Sequence, residues 1–219
     1  TVSCLDFDPV REGKQARKDV RVVFGELQIP GNFTAQMAGD FWQGIYENFD
    51  RDYFKRLQER FAIPGNKPIR RFSAGMKAKL ALAGAVSHHP RLVILDEPLS
   101  SLDPLAKEEA MEMLRELGGE EISILISSHT VADLEKLADY LAFLHSGNLF
   151  LFEEKDRLLE RYRAVQGTEG ALKGLREQNV RLIGMRRGAF GSWAVLDKTS
   201  VQSRAVLESF GILEEPASL

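Results

Sequence analysis

Two acidic residues sit where an apolar run ends. Leu92-Val93-Ile94-Leu95 leads directly into Asp96-Glu97-Pro98, and a charged pair in that position is costly unless it meets a partner or a metal. Successive residues at a strand end point in different directions. One carboxylate can then hold a hydrated Mg²⁺ while the next orients a water for attack. Standing alone, the pair would read as solvated surface acids. A second β-prone run, Ile122-Ser123-Ile124-Leu125-Ile126, ends in Ser127-Ser128-His129. That places an imidazole at the same rim, where it can hydrogen-bond a terminal phosphate. Upstream, Arg71-Phe72-Ser73-Ala74-Gly75-Met76-Lys77 opens a helix with Leu80, Ala83 and Val86 inward. Backbone N–H groups at Ser73 and Gly75, with the positive end of the helix dipole, make an anion site. Between the acids and the next helix lies Ser100-Ser101-Leu102-Asp103-Pro104, a turn whose Asp103 is suited to cap that helix.

These residues need a scaffold, and the hydrophobic pattern supplies one. Between the two apolar runs, Leu105, Ala110, Met113, Leu114 and Leu117 mark one helical face, ended by Gly118-Gly119. Strand, helix and strand in that order predict two parallel strands covered on both faces. In such a sheet ligands bind beyond the carboxyl ends of the strands, where Asp96, Glu97 and His129 stand. A helix over Val131–Ala138, a strand over Tyr140–Leu144, a Ser146-Gly147-Asn148 turn, a strand over Leu149–Phe152 and a charged helix over Glu153–Arg163 follow. Before this region, strands are expected at Thr1–Leu5 and Val20–Phe24, joined by a helical basic stretch from Arg11 to Lys18. Phe41, Trp42, Ile45, Phe49, Phe54, Leu57 and Phe61 read as the core of an aromatic-rich helical subdomain over about 34–90. His88-His89, before Pro90, read as solvent-facing at a helix end. After Tyr162, helices over Glu169–Gln178 and Ser200–Phe210 flank β-like runs at Val180–Met185 and Trp193–Leu196. That is a small α+β appendage with Trp193 in its core.

Composition narrows the classes. With 44% hydrophobic and 28% charged residues, the 219-residue chain is a globular protein rather than a disordered or fibrous one. Lys and Arg total 29 against 32 Asp and Glu, a formal charge of −3, which argues against a broadly basic nucleic-acid surface. Its one cysteine, Cys4, rules out an intramolecular disulfide framework and suits a reducing compartment. No apolar run reaches the roughly 18 residues that a membrane-crossing helix needs.

In combination these pieces resemble the ATP-binding-cassette (ABC) ATPases, over almost the whole chain. Phe72-Ser73-Ala74-Gly75-Met76 is similar to the family's signature motif and Leu92 to Glu97 to its Walker B strand. Ser101-Leu102-Asp103 is similar to the D-loop, and Ser127-Ser128-His129-Thr130 to the switch-histidine loop. The Gly-Met-Lys form of the signature and the stretch from Arg161-Tyr162-Arg163 onward are similar to bacterial ABC-2 type exporters, which include antibiotic and antimicrobial-peptide resistance systems.

The resemblance implies an α/β fold: a P-loop NTPase-like ABC ATPase core with a predominantly parallel sheet, a helical signature subdomain and the α+β appendage, with domains over 1–163 and 164–219. It implies an ATP-hydrolysing subunit with ATP and Mg²⁺ as cofactors, working on the inner face of the cell membrane beside a transmembrane permease and a second nucleotide-binding domain, and without nucleic acid. By its motifs Asp96 is the magnesium-side acid, Glu97 the general base and His129 the γ-phosphate ligand. Ser73, Ala74 and Gly75 contact nucleotide held by the second domain, and Asp103 links the two sites. Phe41 and Trp42 line the permease contact. Two departures stand out. No Gly-x-x-x-x-Gly-Lys-Ser/Thr phosphate loop occurs in these 219 residues, Thr1 aligning after it, so this chain alone is expected to be inactive. Gly25 stands where the family places a Q-loop glutamine, with Glu26 or Gln28 as nearby substitutes. The competing expectation is a degenerate, non-hydrolysing regulatory module.

Overall fold

The strand that carries the two acids is the middle one of a three-stranded parallel sheet. A computed structural model describes residues 3–8, 10–25, 27–119, 122–188, 191–201, 207 and 209–214. The chain divides into two compact units, Thr1–His129 and Thr130–Leu219. The first runs α1 (Gly13–Asp19), β1 (Val20–Val23), α2 (Ala35–Ile45), α3 (Arg51–Arg60), α4 (Ala74–Val86), β2 (Leu92–Asp96), α5 (Pro104–Gly118) and β3 (Ser123–Ser127). The strand order is β1-β2-β3. Val20 to Val23 pair with Leu92 to Leu95, and Leu92 to Asp96 pair with Ser123 to Ser127, all in parallel. The crossover through α5 buries Ala110, Met111, Met113, Leu114 and Leu117, whereas Leu105, expected on the same face, is 72% exposed in the first turn. The register of β2 against β3 sets Asp96 beside Ser127, so the two strand ends share one rim.

In place of the expected strand over Thr1–Leu5, the described part is a tight turn. Cys4 and Phe7 exchange backbone hydrogen bonds across Leu5 and Asp6, both in left-handed backbone; Thr1 and Val2 lie outside the described residues.

The helical segment is opened at each helix by a side-chain cap that the sequence supplies locally. Thr34 caps α2, Asp50 caps α3 and Ser73 caps α4, each accepting a hydrogen bond from the backbone N–H three residues on. Its core holds Phe49, Phe54, Leu57, Leu80, Ala83 and Val86. The Trp42 ring meets Phe54 edge-on at 5.6 Å, a favourable aromatic geometry. Two expectations are corrected here. Phe41 and Ile45 are 44% and 54% exposed, because α2 buries only Ala35, Ala38 and Gly39 against its neighbours. His88 is buried at 4% exposure, packed edge-on against the Tyr46 and Phe49 rings at 4.6 and 5.1 Å. The adjacent His89 is exposed, with its ring stacked on Tyr53 and Nε2 3.1 Å from Asp50 Oδ2.

The second unit contains α6 (Val131–Leu137), the antiparallel pair β4 (Tyr140–His145) and β5 (Asn148–Glu154), α7 (Lys155–Arg161), β6 (Tyr162–Gly167), α8 (Glu169–Glu177), β7 (Leu182–Gly188), β8 (Gly191–Asp197) and β9 (Leu213–Glu214). The last four strands form one antiparallel sheet in the order β7-β8-β6-β9. This α+β element begins at Tyr162. Val165, Leu172, Leu175, Leu182, Ala194 and Leu196 fill its core. Trp193 does not: strand alternation buries Ser192, Ala194 and Leu196, leaving Trp193 on the other face, beside Gly188. Buried Asp197 is held at a pKa of about 2 by its bond to Arg161 (3.0 Å) and by the Thr199 hydroxyl and amide. Most of the expected helix over Ser200–Phe210 lies outside the described residues.

Two outcomes follow from this packing. A methyl added at Gly84 would stand 2.6 Å from the Trp42 ring, whereas one at Gly44 meets nothing within 4 Å. Gly84→Ala is therefore expected to lower stability by about 1–3 kcal/mol, and Gly44→Ala to raise it by about 0.5–1 kcal/mol, as read from urea midpoints. Burial, reinforced by the charges of Arg21 and His89, lowers the His88 pKa from 6.5 to about 4. The unfolded chain binds this proton first, so stability is full above about pH 6.5 and falls as pH drops towards 4. Denaturation midpoints across that range check it, and His88→Gln should flatten the slope.

Candidate functional site

At the rim of the sheet one hydroxyl organises both acids. Ser127, the last residue of β3, donates from Oγ to Asp96 Oδ1 at 2.8 Å and accepts from the backbone N–H of Glu97 at 2.9 Å. Glu97 itself has left-handed backbone, with φ of 49°, a conformation that a non-glycine residue keeps only when its surroundings hold it. The surroundings are Ser127 on its amide and the Ser100 hydroxyl on its carbonyl at 3.0 Å. This turn swings the Glu97 side chain across to the end of β3. There its Oε2 lies 2.8 Å from His129 Nδ1. Asp96 and His129 are exposed and Glu97 is half-buried, so the three groups converge on solvent. The expectation that Asp96, Glu97 and His129 meet at one rim holds in this geometry.

The turn expected to bind an anion stands at the head of α4. Ser73 Oγ caps the helix by accepting from Met76 N at 3.2 Å, and Ala74 takes ordinary helical backbone, so its methyl is no obstacle. Gly75 is required by packing: a Cβ there would stand 2.6 Å from the Ala106 Cβ of α5. Asp103 caps α5, accepting from Ala106 N at 3.0 Å. The two helices are further joined by Lys79, buried on α4, whose Nζ lies 2.7 Å from Glu109 Oε2. A cleft of about 510 Å³ runs between α4, the turn after β2 and the loop after β1, lined by Gly25, Ala74, Lys77, Pro98 and Ser101.

Gly25 lies against the end of β2, its missing Cβ position 3.8 Å from the Asp96 carbonyl. Of the two candidate substitutes for a glutamine there, Glu26 is outside the described residues. Gln28 is exposed and lines a different groove, with Phe41 and Trp42. Sequence reasoning passed over Ser127, Lys79 and Glu109. Only the first left a trace, as the hydroxyl residue that parallel pairing must set opposite Asp96.

Among the described residues no group of three or more His, Cys, Asp or Glu could cage a metal ion. The site suits Mg²⁺ nonetheless. That ion keeps most of its waters and takes one or two carboxylates plus substrate phosphates, and the exposed Asp96 carboxylate would be one such ligand.

The family model described as "ABC transporter" matches residues 3–100. The ATP-binding protein YtrB of Bacillus subtilis is 30% identical over 183 residues, which is 81% of this chain and 62% of YtrB. The chain is similar to ABC transporter ATP-binding proteins in sequence and in fold. Among further relatives, the lantibiotic transport ATP-binding protein SrtF of Streptococcus pyogenes is 39% identical over 41% of this chain and 39% of SrtF. The bacitracin transport ATP-binding protein BcrA of Bacillus licheniformis is 40% identical over 44% of this chain and 32% of BcrA. The chain thus spans about 62% of the length of YtrB and 39% of that of SrtF. Among solved structures, cbiO1 of Clostridium perfringens, part of the ABC transporter complex cbiONQ, superposes with a TM-score of 0.61 at 25% identity, covering 70% of this chain and 64% of cbiO1. An ATP-binding subunit of an ABC transporter reaches the same TM-score of 0.61 at 23% identity, over 72% of this chain and 68% of that one, a likeness of fold.

Removing the hydroxyl tests the clamp directly. Ser127→Ala is expected to speed hydrogen exchange of the Glu97 amide by roughly tenfold, the worth of one such bond, while the global melting temperature moves by only a few degrees.

Proposed function

We propose that the chain is part of an ATP-hydrolysing subunit that energises a membrane exporter. The observation that carries this reading is the Glu97 carboxylate, held in left-handed backbone by Ser127 and set 2.8 Å from His129 at an open rim. A carboxylate placed there accepts the proton of an attacking water, and the imidazole beside it orients that carboxylate and hydrogen-bonds a terminal phosphate oxygen. Asp96, anchored by Ser127, takes the hydration shell of the Mg²⁺ that accompanies ATP. That ion, when bound, neutralises charge developing on the phosphates. Ser73, Ala74 and Gly75 present the N-terminus of α4 to nucleotide held by a second nucleotide-binding domain. Asp103, as the cap of α5, fixes the turn that would face that domain.

The names of SrtF and BcrA support export of antimicrobial peptides or antibiotics as the class of work. A transmembrane permease is then the natural partner, with the chain at the inner face of the membrane. Among the described residues no helix is long and apolar enough to cross a membrane. Its docking face is the groove of about 240 Å³ lined by Phe41, Trp42, Ile45 and Phe24. Three of these, Phe24, Phe41 and Ile45, are exposed in the free chain. The rival reading, a non-hydrolysing module, is disfavoured by the convergence of Asp96, Glu97 and His129 at one open rim.

Glu97→Gln, made in the protein as encoded, keeps the shape and removes the base. ATP binding is expected to persist while phosphate release falls by about 10²–10⁴-fold. Normal turnover by this variant would refute the assignment of Glu97.

A further inference from the structure

A serine hydroxyl carries one proton to donate and an oxygen that can also accept. Ser127 uses both capacities at the rim. It donates its proton to Asp96 Oδ1 at 2.8 Å, and its oxygen receives the Glu97 N–H at 2.9 Å. A bond to a carboxylate is the stronger kind, so Asp96 fixes which way the hydroxyl turns. A hydroxyl that donates in this way is also the better acceptor for the next donor in the chain. That next donor is the amide of the strained residue, Glu97, whose φ is 49°. Such backbone costs about 1–3 kcal/mol and persists only where neighbours impose it. Ser127 pins the peptide plane before Glu97, and the Ser100 hydroxyl pins the plane after it through the carbonyl at 3.0 Å. Those two planes set φ and ψ of Glu97. They thereby set where its carboxylate lies, 2.8 Å from His129 Nδ1.

We infer that Ser127 couples the two acids: it is a positioning residue for hydrolysis, and through it Asp96 holds the turn that aims Glu97, a role separate from magnesium. This inference rests on the reading of Glu97 as the base. The two acids are neighbours in the chain, yet the bonds that join them pass through a residue of another strand, set beside Asp96 by the parallel register. Without the hydroxyl, the Glu97 amide loses its acceptor and the turn is free to relax towards ordinary backbone. The carboxylate then leaves His129. Without the Asp96 carboxylate, the hydroxyl loses the acceptor that orients it, and the same turn loosens. Misplacing a reacting group by about 1 Å costs on the order of 10²-fold in rate, so the coupling bears on turnover and not on nucleotide affinity.

Two measurements on the protein as encoded decide it. Thr and Val share a β-branched shape that suits a strand and differ by the hydroxyl, and the exposed position of Ser127 has room for either. Ser127→Thr is expected to keep kcat for ATP hydrolysis within about twofold, and Ser127→Val to lower it by about 10–100-fold, with KM for ATP unchanged in both. In a Glu97→Gln background the two are expected to be equal, because the group they position is gone. The second measurement is hydrogen exchange of the Glu97 amide in the absence of nucleotide and metal. Asp96→Ala is expected to speed this exchange about fivefold more when Ser127 is present than in the Ser127→Val background. The Leu95 amide, in the buried part of β2, separates this local opening from global unfolding. Equal kcat for Thr and Val, or a difference that survives Glu97→Gln, overturns the positioning role. An Asp96→Ala effect of the same size in both backgrounds overturns the coupling. If Glu97→Gln alone hydrolyses ATP normally, the reading of Glu97 as the base fails, and the exchange comparison still decides the coupling.

Discussion

Charge at the end of a buried strand is the constraint on which the rest of this structure depends. Asp96 and Glu97 cannot follow Leu95, which is fully buried, without an immediate route to water and to hydrogen-bond donors. The parallel pairing of β2 with β3 supplies that route by bringing Ser127 alongside. Its hydroxyl serves one acid through its side chain and the other through its backbone. Holding the Glu97 amide makes the left-handed turn tenable, and the turn aims the Glu97 carboxylate at His129. The strand register, the hydroxyl and the backbone strain are one device, and its product is a carboxylate and an imidazole set 2.8 Å apart at an open rim.

The helices add a second layer. α4 and α5 approach so closely that only glycine fits at position 75, and the Lys79–Glu109 ion pair joins them again one turn further along. The head of α4 and the capped turn before α5 are thereby held as one body. Isolated surface ion pairs contribute little, but Lys79 is buried and its stem fills space between the helices. On the other side of α4, Gly84 gives way to the Trp42 ring. That ring is shared between the aromatic core and the groove.

Much of the site was legible in the residues. Apolar runs of four or five ending in Asp-Glu and in Ser-Ser-His mark strand ends. The helical periodicity between them requires the strands to be parallel and so puts their carboxyl ends on one rim. Caps were equally readable, because Ser73 and Asp103 act on backbone three residues away. Other features were not. Aromatic spacing over 41–61 fits a core and a groove wall equally well, and only the packing of α2 on its small residues leaves Phe41 and Ile45 outside. Trp193 was misplaced because strand alternation needs a register, and a shift of one residue exchanges the faces.

The sequence alone determined the local chemistry: which residues can cap, which runs must be strands, and which acids and imidazole end them, since each depends on neighbours a few positions away. Tertiary structure decided everything that depends on what packs opposite. It buried His88 while leaving His89 exposed, although the two are adjacent, because one ring meets Tyr46 and Phe49 and the other reaches Asp50 at the surface. It set Gly75 against Ala106 and packed Arg21 and His88 on one ring, that of Tyr46. Such juxtapositions join residues tens of positions apart, and no local pattern records them.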